Sequence, residues 1–258
     1  MKIESLHNPG IKQLLKLQQK SRERKSSGLF VAEGVQENRL ALESGFKPKR
    51  FYLAEGIFQS DVELSNSDFI WITDSLFEII AYRGTSGGII GIYESQNLNL
   101  NQIRLSKNPL IVILESVEKP GNLGAVLRTC DGAAVDLLMV CDPLADFFNP
   151  NVIRSSVGTV FTKNTIAETK ENILNWLKVN QIQIVSTFLR DDAQSLYNAD
   201  FSKPTAIVLG TEATGLSDFW ADHSDLLIKI PMNGKVDSLN VSNAAAICIY
   251  EALRQRLK

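Results

Sequence analysis

The chain has 258 residues, 44% of them hydrophobic and 22% charged, and a formal net charge of -2. That composition is of a globular protein with one large domain or two ordinary ones. No apolar run approaches the ~18 residues of a membrane span, and no apolar signal core follows Met1. Neither a membrane protein nor a secreted one is expected, and the cytoplasm is the expected compartment.

In chain order, residues 1–25 carry Lys2, Lys12, Lys16, Lys20, Arg22, Arg24 and Lys25 against Glu4 and Glu23, a local basic excess of five. Clustered cations contact nucleic-acid phosphates. A solvated helix face is the plainer alternative, and composition does not separate the two. Asn8-Pro9-Gly10 opens a short helix with Ile11, Leu14, Leu15 and Gln18 on one side. Residues 30–34 read as a strand, 35–44 as a helix, and 50–53, 69–72 and 88–93 as strands rich in β-branched and aromatic side chains. Residues 1–95 thus predict a small α/β unit.

The polar, Asn-rich stretch 96–108 reads as an interdomain linker. Residues 110–114 are continuously apolar, as in a strand buried on both faces of a parallel sheet. Further strands are expected at 137–140, 182–186, 206–209 and 226–230, with a helix around 173–179. A last helix over 244–257 carries an apolar stripe of Ala246, Ile249, Tyr250, Leu253 and Leu257. Residues 109–258 therefore form a βα-alternating domain.

Cys130, Cys141 and Cys248, with His7 and His223, show neither CxxC nor metal-ligand spacing. No disulfide framework and no metal site are expected. Cys130 reads as a small buried thiol.

Three separated loops look like one composite ligand site. In the first, Pro120-Gly121 sets a turn, Asn122 can cap a helix, and Gly124 and Ala125 allow close backbone approach. A plain strand-to-helix connection leaves Arg128 unexplained, because a guanidinium beside Val126 and Leu127 should reach the loop or a phosphate. In the second, Glu212 follows a buried strand between two glycines; it is a ligand-site carboxylate or merely a solvated one. In the third, Ser238 and Asn240 precede the last helix, where Ser238 could be an ordinary cap. No GxGxxG follows the strand at 110–114 and no GxxxxGK[ST] occurs, so a Rossmann cofactor site and nucleotide hydrolysis lack support. Gly84-Thr85-Ser86-Gly87-Gly88 precedes a strand and reads as a turn.

Taken in order, the loops resemble the motifs of the SpoU (TrmH) family of RNA ribose 2′-O-methyltransferases. Asn122, Gly124 and Arg128 fit N-x-G-x-x-x-R, and Leu209, Gly210, Glu212 and Gly215 fit L-G-x-E-x-x-G. Ile230 through Ser242 fit I-P-M-x-G-x-x-x-S-L-N-V-S, and Arg154, Ser156 and Gly158 resemble the intervening R-x-S-x-G. Phe30-x-x-Glu33-Gly34 resembles, more weakly, the family's ribosomal-protein-like (L30e-like) RNA-binding domain. Ala213, Cys130 and Asn243 depart from the family's usual Gly, Ala and small apolar residue, and none is assigned to chemistry.

The resemblance implies an α/β protein whose C-terminal SPOUT-type parallel-sheet domain is closed by a trefoil knot, which no periodicity predicts. A smaller N-terminal α/β RNA-binding domain precedes it. S-adenosylmethionine is the implied cofactor, held by Leu209, Gly210, Ile230, Met232 and Leu239. Arg128 is the implied catalytic group, with Asn122, Glu212, Ser238 and Asn240 around it. Lys12, Lys16, Arg22, Arg24 and Arg154 are the expected RNA contacts. A homodimer through the knotted domain is also implied, with the stripe of the last helix contributing. Ribosomal RNA is favoured as substrate, since tRNA-specific relatives usually carry short helical extensions in place of such an N-terminal domain. The alternatives are the same chemistry on tRNA, a non-catalytic RNA-binding or ribosome-assembly protein keeping the fold, or an enzyme using another nucleotide.

Overall fold

The computed structural model describes residues 2–62, 64, 68–82, 86–96, 98–117, 119–142, 145–211 and 215–257. In chain order the elements are β1 (Lys2–Ile3), α1 (Pro9–Gln19), α2 (Ser21–Ser27), β2 (Leu29–Glu33), α3 (Val35–Glu43), β3 (Pro48–Ala54), β4 (Phe69–Ile72), α4 (Asp74–Ile80) and β5 (Ile89–Glu94). There follow β6 (Leu110–Leu114), α5 (Pro120–Gly132), β7 (Leu137–Val140), α6 (Pro150–Ser155), β8 (Thr165–Ala167), α7 (Lys170–Val179) and β9 (Gln183–Thr187). The chain ends with β10 (Gln194–Ser195), β11 (Thr205–Leu209), α8 (Asp218–His223), β12 (Leu226–Lys229) and α9 (Val241–Arg256). Contacts divide it into two compact units, residues 1–97 with 146–162, and 98–145 with 163–258. No helix among the described residues is long and apolar enough to cross a membrane.

The first unit holds a five-stranded sheet in the order β1-β4-β3-β5-β2. Pairs β1–β4 and β3–β4 are parallel, while β3–β5 and β2–β5 are antiparallel. Helix α1 begins where Pro9 supplies a preset φ and the Asn8 side chain accepts the Gly10 N–H at 2.9 Å. Its Ile11, Leu14 and Leu17 are fully buried against a core that includes Val31, Tyr52 and Ile72. The buried helix face is therefore centred on Leu14, and Leu15 and Gln18 are only half-buried.

Segment 146–162 joins this unit through aromatic stacking. The Phe30 ring lies 4.4 Å from Phe148 and 5.5 Å from Phe161, centroid to centroid. Arg24, expected to contact RNA, instead serves the same purpose. The residue is 5% exposed, and its guanidinium donates to Asp146 Oδ2 at 2.6 and 3.0 Å and to the Leu17 carbonyl at 2.5 Å. A guanidinium so enclosed, with Nε, Nη1 and Nη2 all engaged inside the fold, is withdrawn from the surface where a phosphate would meet it.

The second unit is a seven-stranded parallel sheet in the order β10-β12-β9-β11-β6-β7-β8. Strand β6 lies inside it, which is why its five residues are all buried. Helices α7 and α8 bring Ile173, Leu177 and Trp220 onto Ile111, Ile113, Ala206 and Val208. Helix α9 packs on α5 and β11. From β6 the chain steps outward to β7 and β8, then crosses to the other side for β9. The order thus reverses between β6 and β11, and ligands of open parallel sheets bind beyond strand ends near such a point.

Two expectations shift. Leu100, Ile103 and Leu105, inside the polar linker, are half-buried against the second unit's core, and Trp176 Nε1 donates to the Leu100 carbonyl at 3.2 Å. In α9 the buried positions are Val241, Ala245, Cys248, Ile249, Glu251 and Ala252, so Tyr250 and Leu257 are left 50% and 71% exposed. The buried stripe thus lies about one residue N-terminal to the expected one.

Candidate active site

A cavity of about 420 Å³ opens beyond the C-terminal ends of β9, β11 and β12. Leu209, Gly210, Ile230, Met232 and Leu239 all line it, and so does Ser238. The walls follow from local sequence. Buried β11 ends at Leu209, and the chain turns at once through Gly210. An added Cβ there would stand 2.2 Å from Gly215 C and 2.4 Å from Leu216 N, so the loop closes only around glycine. Gly215 completes the turn at φ +66° and donates to the Thr211 carbonyl at 3.0 Å.

The first and third motifs meet. Helix α5 starts with Pro120 at its first position, and Lys119 is the capping residue. Asn122 therefore lies in the first turn instead of capping it, and its Oδ1 accepts from Asn240 Nδ2 at 3.3 Å. Asn240 is itself the cap of α9, with its Oδ1 accepting the Ser242 N–H at 3.0 Å and the Ser242 hydroxyl at 2.6 Å. Ser238 is thus not the cap. It is exposed at the cavity wall.

Arg128 is exposed on α5 and is not among the cavity-lining residues. Six residues beyond Asn122, it points about 120° away around the helix. Glu212 lies outside the described residues, with Ala213 and Thr214. Burial pushes the neighbouring Cys130 thiol up to about 12, which removes it as a nucleophile near neutral pH. Among the described residues, no group of three His, Cys, Asp or Glu is placed to hold a metal.

Sequence reasoning missed Glu115. It directly follows β6, is 6% exposed, and accepts from Ser217 N at 2.7 Å and Ser217 Oγ at 2.8 Å. Lys170 Nζ stands 3.9 Å from it, and the Glu115 N–H donates to the Leu209 carbonyl at 2.9 Å. Glu115 therefore fastens both ends of the loop that carries Gly210 and Gly215. A charge directly after five apolar residues was the available signal.

Of the expected RNA contacts, Lys12, Lys16 and Arg22 are exposed on α1 and α2. Arg154 is half-buried on α6, with its guanidinium carbon 3.5 Å from the Tyr82 ring centroid.

A parallel sheet with a cofactor-sized cavity beyond its strand ends defines a ligand-binding α/β domain. Residues 109–250 match the SpoU rRNA Methylase family, and residues 8–91 match the MRM3-like substrate binding domain. The chain belongs to the SpoU rRNA methylase family. It is 28% identical over 249 residues to the 23S rRNA (uridine(2479)-2′-O)-methyltransferase of Streptomyces viridochromogenes, spanning 91% of this chain and 85% of that one. It is 37% identical over 169 residues to the tRNA (guanosine(18)-2′-O)-methyltransferase of Thermus thermophilus, spanning 64% and 85%. The crystal structure of an AdoMet-bound rRNA methyltransferase from Sinorhizobium meliloti matches with a TM-score of 0.90 at 27% identity, covering 100% and 99% of the two chains.

Proposed function

We propose that this chain transfers a methyl group from S-adenosylmethionine to a ribose 2′-hydroxyl of ribosomal RNA. As a SpoU family member it is an RNA 2′-O-methyltransferase. The cavity beyond β9, β11 and β12 carries the reading, because all five residues expected to hold the cofactor line it.

The cavity fits the cofactor. Leu209, Ile230 and Leu239 offer apolar walls for an adenine, and bare backbone at Gly210 allows close approach. At about 420 Å³ it is within the range of small-molecule sites. When bound, S-adenosylmethionine supplies an electrophilic sulfonium methyl. Arg128, exposed on α5 and outside the cavity lining, orients the attacking 2′-oxygen and the adjacent phosphate from the RNA side, a role that suits a planar, donor-only guanidinium better than proton removal does. Asn122 and Asn240, joined to each other, hold the ribose against α5 and α9, with Ser238 at the cavity wall, and Glu212 is assigned to the same chemistry by its sequence motif alone.

Ribosomal RNA is favoured over tRNA by the extent of the matches. The relative that aligns over 249 residues, and so along both units, is a 23S rRNA enzyme, and residues 8–91 in the first unit match a substrate binding domain. Lys12, Lys16 and Arg22 supply phosphate contacts, and the enzyme works in the cytoplasm. It acts as a homodimer through its C-terminal unit, where Tyr250 and Leu257 of α9 remain exposed. Light scattering that returns a monomer at assay concentration would overturn the dimer.

The deciding experiment supplies radiolabelled S-adenosylmethionine with total ribosomal RNA or total tRNA. Label is expected in ribosomal RNA as an alkali-resistant 2′-O-methyl dinucleotide. Arg128→Ala should lower turnover about 100- to 1,000-fold with cofactor affinity unchanged, as for loss of one preorganised charged donor. Label in tRNA alone would overturn the substrate, and near-normal turnover of Arg128→Ala would overturn its role.

A further inference from the structure

A second cavity, of about 740 Å³, lies wholly within the first unit, among α1, the end of β2, the start of α3, the end of α4 and α6. None of the residues assigned to cofactor binding or methyl transfer lines it. Tyr82 stands at its wall, 63% exposed, with the Arg154 guanidinium carbon 3.5 Å from its ring centroid. The Tyr82 backbone N–H donates to both carboxylate oxygens of Glu33, at 2.9 and 3.1 Å, which fixes the ring's root. Arg154 covers one face of the ring.

The polar lining selects among ligands. Glu33 and Glu37 face the space against the single guanidinium of Arg154, so the interior disfavours a phosphate and accepts a neutral polar group. Burial, more than any other influence, raises the Glu37 carboxyl above the usual carboxylate range. The Ser86 hydroxyl, also at the wall, is buried and has no hydrogen-bond partner among the described residues. A buried hydroxyl without a partner is costly unless a ligand completes it. Outside, the charge reverses. Leu15 and Gln19 line the cavity, and Lys12 and Lys16, both exposed, occupy the same sector of α1.

An aromatic face, neutral-to-acidic hydrogen-bonding groups within, and cations along the rim together suit one kind of ligand. We propose that this cavity receives a single nucleobase extruded from the substrate RNA, stacked on the open face of Tyr82, with the flanking phosphates on Lys12 and Lys16. Ser86 and Glu37 offer a donor and an acceptor to the edge of the base. Single-stranded RNA is read in this manner, by stacking on aromatic and guanidinium planes and by hydrogen bonds to base edges. The inference rests on the ribosomal RNA reading above and adds to it a second anchoring site.

The test measures binding of protein-free ribosomal RNA to the full chain by filter retention, beside cofactor binding by calorimetry. Tyr82→Ala should weaken RNA binding about five- to a hundredfold, the range for one stacked base. Tyr82→Phe should bind as the wild type does, and cofactor affinity should be the same in all three. The exposed ring and its backbone anchor make loss of folding an unsuitable explanation for that pattern. Equal RNA affinity and equal KM for Tyr82→Ala and wild type, with methyl transfer intact, would overturn the cavity assignment alone. Wild type that neither binds nor methylates ribosomal RNA would overturn the function proposed above and this inference with it.

Discussion

An alanine at Gly210 would place its Cβ 2.2 Å from the Gly215 carbonyl carbon, and that neighbour is backbone that cannot swing aside. Overpacking of this kind costs about 1–3 kcal/mol, and the loop it distorts walls the cofactor cavity. Gly210→Ala should therefore bind S-adenosylmethionine about tenfold more weakly or worse, measured by calorimetry. Affinity equal to wild type would show that the loop can open without loss of the site. Asn240 illustrates how one residue type takes on two tasks. Its Oδ1 caps α9 while its Nδ2 reaches Asn122, so the amide cannot turn over without losing one of them.

At the scale of elements, Glu115 ties β6 to the loop after β11. Removing it leaves the half-buried Ser217 N–H and hydroxyl without their acceptor, a penalty toward the lower end of the about 1–3 kcal/mol of a fully buried donor. Glu115→Ala should raise KM for S-adenosylmethionine more than it lowers kcat, because the residue shapes the cofactor wall and touches no reacting atom. Steady-state kinetics at varied cofactor concentration read this out, and a fall in kcat with KM unmoved would count against it. The three shortest strands, β1, β8 and β10, have two or three residues each and no periodicity to detect. They exist because a neighbouring strand offers its edge. By contrast β6, buried on both faces, was legible to the residue at both ends.

At the scale of the molecule, the basic excess of residues 1–25 divides into cations that face solvent and one that does not. Each cation–phosphate contact steepens the fall of log affinity with log salt by about 0.7 to 0.9. Replacing Lys12, Lys16 and Arg22 together by Ala should flatten that slope for ribosomal RNA by about two to three. An unchanged slope, titrated by filter binding from low to moderate salt, would mark them as a solvated face.

The amino-acid sequence by itself determined the parallel-sheet core, the helix that follows Pro120, and the three loops whose order carries the family resemblance. These are local features, written in hydrophobic periodicity and in Gly, Pro and capping residues within a few positions of one another. Only the tertiary structure decided that segment 146–162 packs with the first unit, that Arg24 is an internal ion-pair partner, and that Asn240 and not Ser238 caps α9. It likewise disclosed Glu115 as the clamp of the cofactor loop. Each of these depends on which side chain lies opposite across more than a hundred residues of chain, or on which of two suitable residues a helix start selects. Burial and partnership are pairwise properties of the folded state, so no window along the chain contains them.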